Sequence, residues 1–156
     1  MTGVSERVAA RYVGARTDAG LLRAALHVEE VSALAYGAVR GVAFAPGFAA
    51  QEHEHAEAFE TLLQALTVPA REHAGRAELN DLMPGLRGMG RREALESLEA
   101  LEQAAIAGHQ LLGRRLRALE ALRTVAAVSG GAAQHLVVIR AALDRAPLSK
   151  AFERGS

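Results

Sequence analysis

A glutamate and a histidine lie three residues apart, at Glu52 and His55, within the segment QEHEHAE. Residues at this spacing share one face of an α-helix, so a carboxylate oxygen and an imidazole nitrogen could bind the same metal ion. The two polar residues interrupt an apolar helical stripe, which predicts that they face a protein core. The apolar members of that stripe are Phe48, Phe59, Leu62 and Leu66.

Ionisable residues interrupt the apolar stripes of three further segments in the same way. They are Glu29 in the first segment, Glu102 and His109 in the second and His135 in the third. An unpaired buried charge is costly, so three carboxylates and two imidazoles at one level need a balancing cation. We therefore predict a metal site inside the protein. Its predicted ligands are Glu29, Glu52, His55, Glu102 and His135.

The remaining histidines lie off these stripes, and we expect His27, His53 and His73 to be exposed. Glu54 and Glu57 also point away from the stripe that contains Glu52. The density of charge in this segment therefore overstates the number of candidate ligands.

Four segments with helical periodicity must position the candidate ligands. Pro46 suits the first turn of the second helix, and Pro69 follows its end. The long connection 67–90 is expected to cross one end of the molecule and has room for a short helix. These features predict an all-α fold, an antiparallel four-helix bundle with a long central connection. The predicted helices are 18–39, 47–66, 91–119 and 121–146.

Length and composition narrow the classes of protein that fit. A chain of 156 residues predicts one domain, with its core at about 18–146 and a docked or frayed tail at 147–156. The chain has no cysteine, which excludes disulfides and thiolate metal sites. Zero net charge argues against nucleic acid as a partner. The chain has no run of eighteen apolar residues, so we expect no membrane span. With no signal-like segment at the N-terminus, we expect a cytoplasmic location.

A faint internal repeat relates the two halves of the chain. VEEVSALAY, residues 28–36, parallels LEQAAIAGH, residues 101–109, and aligns Glu29 with Glu102. The repeat also aligns Tyr36 with His109. We expect Tyr36 to hydrogen-bond a ligand carboxylate, and we expect His109 to pack beside the ligands or to act as an auxiliary one.

The ordered set of ligands on four helices resembles the ferritin-like superfamily of dimetal carboxylate proteins. The segments LEQAAIAGH and AAQHLVVIRAALDRAPLSKAFERG are similar to a bacterial ferritin-like domain family, and the resemblance covers about residues 20–153. Carboxylate and imidazole donors suit iron or manganese, and zinc accepts the same donors. The resemblance implies redox chemistry with dioxygen or hydrogen peroxide, of the ferroxidase, peroxidase or oxygenase type.

One position departs from the family pattern. Ala132 stands three residues before His135, where the family has a second bridging glutamate, and Gly130 and Gly131 precede it. Each glycine weakens a helix by about 1 kcal/mol relative to alanine. The site could hold two metal ions with Glu52 bridging, one ion, or none.

Two further functions remain open beside a metal-dependent oxidoreductase. A metal-free bundle would act as a structural or interaction module, and a pocket at Ala132 would bind a small molecule. Small residues on helix faces also predict a homodimer. The alanines concerned are Ala104, Ala107 and Ala118.

Overall fold

A computed structural model describes residues 2–69 and 72–146 of the chain. This described part is helical and contains no strand, which confirms the predicted all-α class. The helices are α1 (Thr2–Val13), α2 (Asp18–Ala38), α3 (Ala45–Ala65), α4 (Arg76–Leu82), a short 3-10 helix (Leu86–Gly88), α5 (Arg91–Arg115) and α6 (Leu119–Ala142).

The helices begin at or near the predicted residues, but α5 and α6 end earlier than predicted. Helices α2 and α5 begin at the predicted residues, and Pro46 lies in the first turn of α3. Helix α5 ends four residues early because Leu116 is extended, at φ −70° and ψ 145°. Helix α6 ends before Asp144, which has a left-handed φ of 57°. Pro147 and the predicted tail lie outside the described residues.

Helix α1 was not predicted, because the expected core began at residue 18. It packs against α5 and α2 and buries Val8 and Tyr12, each 1% exposed. Arg7 anchors it by donating from Nε to the Leu82 carbonyl at 2.9 Å. The inward stripe of α1 is only Val4, Val8 and Tyr12, which is too short for a clear periodic signal.

The position of α1 also affects the surface predicted for a homodimer. Ala104 is 6% exposed and lines a groove between α1 and α5, and Ala118 lies outside the helices. The three alanines therefore do not form one exposed face, because α1 covers part of it.

The four long helices after α1 surround the candidate ligands. Helix α2 packs against α3 and α5, and α6 packs against α5 and α3. The long connection contains α4 and the 3-10 helix, as its length predicted. It contacts α2 through Glu30, which accepts a hydrogen bond from the Ala74 N–H at 3.1 Å and lies 2.6 Å from His73 Nδ1.

A buried ion network joins α5 to α6 beside this core. Glu99 is only 7% exposed; it accepts a hydrogen bond from Arg140 Nε at 2.9 Å and another from Arg145. Helix α6 brings Arg140 to the Glu99 carboxylate and buries the pair, so each charge has a partner of opposite sign.

Helix α6 is long and apolar enough to span a membrane by length and composition, and 39% of its most apolar window is buried inside the molecule. Core helices of soluble proteins pass the same test, so this feature alone is weak evidence for a membrane segment.

Candidate metal centre

The fold brings all five predicted ligands together. Glu29 lies on α2, Glu52 and His55 on α3, Glu102 on α5 and His135 on α6. The three glutamates and His135 are at most 2% exposed, whereas the His55 side chain is 17% exposed. Carboxylates from three helices therefore share one buried space with imidazoles from two.

The candidate ligands form two overlapping groups of three. The outer trio is Glu29, Glu52 and His55, and the buried trio is Glu52, Glu102 and His135. In each trio, one donor atom from every residue lies within 4.8 Å of the other two. Glu52 belongs to both trios, so two cation positions would share one carboxylate.

The outer trio depends on a glycine of the opposing helix. His55 Nδ1 lies 3.3 Å from Glu29 Oε2 and 3.3 Å from Glu52 Oε2. A Cβ atom at Gly131 would come within 2.6 Å of His55 Cε1 and 2.7 Å of its Nε2. Gly131, which the sequence marked only as a helix weakness, makes room for the His55 ring.

His109 lies behind Glu29, away from His55. Its Nε2 is 2.9 Å from Glu29 Oε1, and the ring is fully buried. The two oxygens of Glu29 thus face different histidines. This geometry fits the expectation that His109 packs beside a ligand and orients it.

The buried trio centres on one nitrogen of His135. Its Nδ1 lies 2.7 Å from Glu52 Oε1 and 3.1 Å from Glu102 Oε1. Tyr36 donates a hydrogen bond to Glu102 Oε1, which confirms the predicted contact of this tyrosine with a candidate ligand carboxylate. Phe48 stacks on the His135 ring with centroids 3.9 Å apart, which restricts the ring's rotation.

Sequence reasoning missed Gln51. Its Oε1 lies 2.6 Å from His135 Nε2 and can accept the N–H of that nitrogen, which leaves Nδ1 directed at the carboxylates. Gln51 lies off the apolar stripe and is exposed. Its only sequence signal was its position next to Glu52.

Charges set the protonation of the outer trio. Burial alone would raise the pKa of Glu29, but the charge and hydrogen bonding of His109, together with His55, lower it to about 2. Burial disfavours the charged form of His55 and would lower its pKa, but its contacts with Glu29 and Glu52 raise that pKa to about 10. Without metal, this trio therefore holds a histidine proton at neutral pH.

In the buried trio the histidine pKa is likewise raised, but here the pKa values of the two carboxylates are raised as well. Burial lowers the pKa of His135, but Glu102 and Glu52 outweigh it and raise the pKa to about 9. Burial raises the pKa of Glu102 to about 7 although His135 opposes the shift. Burial and the charge of Glu29 also raise the pKa of Glu52. A cation entering this trio would displace protons.

The other residues that the sequence singled out lie outside the trios. Ala132 is 1% exposed on the inner side of α6, so the departure from the family pattern falls inside the protein. His53 and His73 are 72% and 70% exposed, as predicted. His27 was expected to be exposed but is half-buried, because α2 has few fully exposed positions.

No family model, curated protein or solved structure matches this chain. The ferritin-like resemblance therefore stays a prediction, and the geometry of the two trios carries the functional argument.

Proposed function

We propose that the chain is a ferritin-like four-helix bundle that binds two divalent metal ions, iron or manganese, between its helices. The two oxygens of Glu52 carry this proposal: Oε2 faces His55 at 3.3 Å and Oε1 faces His135 at 2.7 Å. One carboxylate that presents a different oxygen to each trio has the arrangement of a bridging ligand.

The donor set fits these metals. All donors are carboxylate oxygens and imidazole nitrogens, which suit iron and manganese, and zinc accepts the same donors. Three carboxylates offset most of the charge of two divalent ions. Because Ala132 supplies no donor, coordination positions stay open for a small molecule.

The helix arrangement supports the bundle. The four helices α2, α3, α6 and α5 each pack against two of the others, and the long connection joins α3 to α5. In ferritin-like proteins one long crossover likewise joins two helix pairs, and the ligands project inward at one level.

The surrounding side chains would orient the ligands. His109 lies at ion-pair distance from Glu29, Tyr36 donates a hydrogen bond to Glu102, and Gln51 accepts one from His135, so each of these candidate ligands has a partner outside the trios. When bound, an iron or manganese pair supplies redox chemistry with dioxygen or hydrogen peroxide. Burial of the glutamates keeps bulk water away from the centre.

Metal analysis tests the proposal directly. The chain is purified with iron or manganese supplied, beside the Glu52→Ala, His55→Ala double variant and the exposed control Glu54→Ala. We expect about two ions per chain in the wild type and the control, and almost none in the double variant. Equal, near-zero metal in all three proteins would overturn the proposal.

One observation favours a metal-free structural module as the alternative. The three carboxylates already contact three histidines, so protons alone can balance the cluster. Ala132→Glu distinguishes the two cases, because an added carboxylate should tighten metal binding only if the centre is a metal site. Unchanged, negligible metal content in this variant would support the structural module.

A further inference from the structure

A groove of about 360 Å³ runs between α1 and α5, outside the candidate metal centre. Of the described residues that line it, five come from each helix, and none of them is charged. The groove between α2 and α3, of about 410 Å³, differs because Glu57 and Glu60 line it. The volume of the α1/α5 groove lies in the range of sites for small molecules, and its lining suits a neutral one.

The hydroxyl of Tyr12, one of the lining residues, has no hydrogen-bond partner among residues 2–69 and 72–146. Tyr12 is only 1% exposed. Tyr36, the other tyrosine of the chain, is equally buried, but its hydroxyl donates to Glu102. A buried tyrosine hydroxyl usually has a partner, because burial removes its hydrogen bonds to water. The Tyr12 hydroxyl can therefore bind a group from outside the described chain.

This hydroxyl lies over Gly108, a glycine of α5 that lines the same groove. The hydroxyl oxygen is 2.7 Å from the position that a Cβ atom of Gly108 would take, and a ring carbon is 2.6 Å from it. Any side chain at this position would displace the tyrosine. Gly108 thus allows Tyr12 to place its hydroxyl between the two helices, at the floor of the groove.

The surroundings of Tyr12 define the kind of group that it can bind. Burial and, to a smaller extent, the charge of Glu29 raise the pKa of Tyr12. The hydroxyl therefore keeps its proton at neutral pH and can donate it in a hydrogen bond. The charge of Glu29 would repel an anionic acceptor such as a carboxylate. A neutral acceptor oxygen meets no such repulsion.

We propose that the α1/α5 groove binds a small neutral molecule with an apolar body and a carbonyl oxygen. The apolar body would cover Val8, Ala104 and the 82% exposed side chain of Val13, which all line the groove. The carbonyl oxygen would accept the hydrogen bond of Tyr12. Apolar walls with one polar group that fixes orientation are typical of ligand pockets.

Calorimetric titration with two probes of the same carbon skeleton tests the hydrogen bond. Acetophenone has a carbonyl oxygen and ethylbenzene has none. We expect the wild type to bind both, and Tyr12→Phe to weaken acetophenone about three- to tenfold without changing ethylbenzene. Failure of the wild type to bind acetophenone, or an equal change for both probes in Tyr12→Phe, would overturn the proposal.

Benzoate tests the neutrality of the ligand, because it presents a carboxylate on a similar aromatic body. It should bind to the wild type more weakly than acetophenone does. Tighter binding of benzoate would overturn the assignment of a neutral ligand.

A substitution that fills the groove tests its location. Ala107 is an exposed alanine that lines the groove, so Ala107→Phe should abolish binding of both neutral probes. Ala126→Phe, at an exposed alanine of α6, is the matched control and should bind both as the wild type does. Circular dichroism checks that the variants fold. Unchanged binding in Ala107→Phe would place the probes elsewhere and overturn the proposal.

The stability of the unliganded protein gives a second measurement. Tyr12→Phe removes a hydroxyl without a partner and should not lower the thermal midpoint, whereas Tyr36→Phe removes the hydrogen bond to Glu102 and should lower it. Equal losses would show that the Tyr12 hydroxyl is already bonded in the free protein, against the proposal. The proposal does not depend on the metal centre, so all of these measurements are made with chelator present.

Discussion

The two trios share Glu52 but are built differently. In the buried trio, His135 is 1% exposed and is held by Gln51 and by the ring of Phe48. In the outer trio, the His55 side chain is 17% exposed, and among the described residues its ring nitrogens have only carboxylate partners. The buried trio is therefore the more preorganised position, and the outer trio is the more accessible one.

This difference divides the expected roles. A preorganised set of ligands loses less conformational freedom on binding, so the buried trio should bind its metal ion more tightly. The outer trio lies next to Gly131, which has no side chain that could supply a donor. We expect a small molecule such as dioxygen or peroxide to approach there. Five predictions test this division, from the largest effect to the smallest.

The largest effect is expected from the shared carboxylate. Glu52→Ala should remove both metal ions, whereas Glu102→Ala should remove about one of two, because Glu102 belongs only to the buried trio. Metal content by mass spectrometry measures both. If Glu52→Ala kept one tightly bound ion, Glu52 would not be the bridge.

The two histidines should separate the trios. His135→Ala and His55→Ala should each leave about one ion per chain, but the ion left by His55→Ala should bind more tightly. Competition with a chelator of known affinity measures the two constants. Equal metal dissociation constants would mean that the two trios do not differ in preorganisation.

Gln51→Leu should affect the buried trio alone. Loss of the acceptor for His135 Nε2 frees the ring, and metal affinity there should fall about ten- to a hundredfold. Gln64→Leu, at another exposed glutamine of α3, is the matched control and should change neither constant. A fall in the outer constant as well would mean that Gln51 acts on α3 as a whole.

Gly131→Ala should affect the outer trio alone. The new Cβ displaces the His55 ring, so the outer constant should weaken by about tenfold, a loss of about 1.4 kcal/mol. Gly130→Ala is the control, because that position is open. Alanine favours the helix at both sites, but only at Gly131 does the new Cβ strike His55. The thermal unfolding midpoints of the two metal-free variants should therefore differ. Unchanged metal binding in Gly131→Ala would contradict the steric role of this glycine.

The last prediction concerns the stability of the metal-free protein at high pH, where no metal affinity is measured. The pKa of His135 rises from 6.5 to about 9 and that of His55 to about 10 on folding, so the folded state holds these protons more tightly than the unfolded state. Their contribution to stability is complete below pH 6.5 and is lost as the pH rises through 9 and then 10. The thermal midpoint with chelator present should fall over this range.

His55→Ala supplies the control for that titration. It should remove the part of the decline nearest pH 10 and leave the part near pH 9. A midpoint that does not change with pH between neutrality and pH 10 would contradict the ion pairs of both trios.

The candidate ligands could be predicted from the sequence, because a charged residue that interrupts an apolar stripe can be recognised within the sequence of a single helix. Glu29, Glu102 and His135 each interrupt such a stripe, and periodicity alone predicts that they point inward. The approximate helix ranges followed from the same periodicity. Helix α1 did not, because three apolar residues make too short a stripe.

The contacts between helices were not accessible in this way. Gln51 lies off the stripe of its own helix, and only the packing of α6 brings His135 to it. Glu99 lies off the apolar stripe of α5 that contains Glu102, and only α6 supplies the arginine that allows its burial. Such partners are far apart in sequence, so no local pattern encodes them.

The amino-acid sequence by itself determined the helical class, the inward direction of five ionisable side chains and the absence of cysteine thiolate donors, since each follows from residue type or local spacing. Tertiary structure alone decided that Glu52 turns one oxygen to His55 and the other to His135. It also decided that Gly131 makes room for an imidazole. The reason is that these features depend on the distance and rotation of α3 relative to α6, which only the packing of the whole core sets.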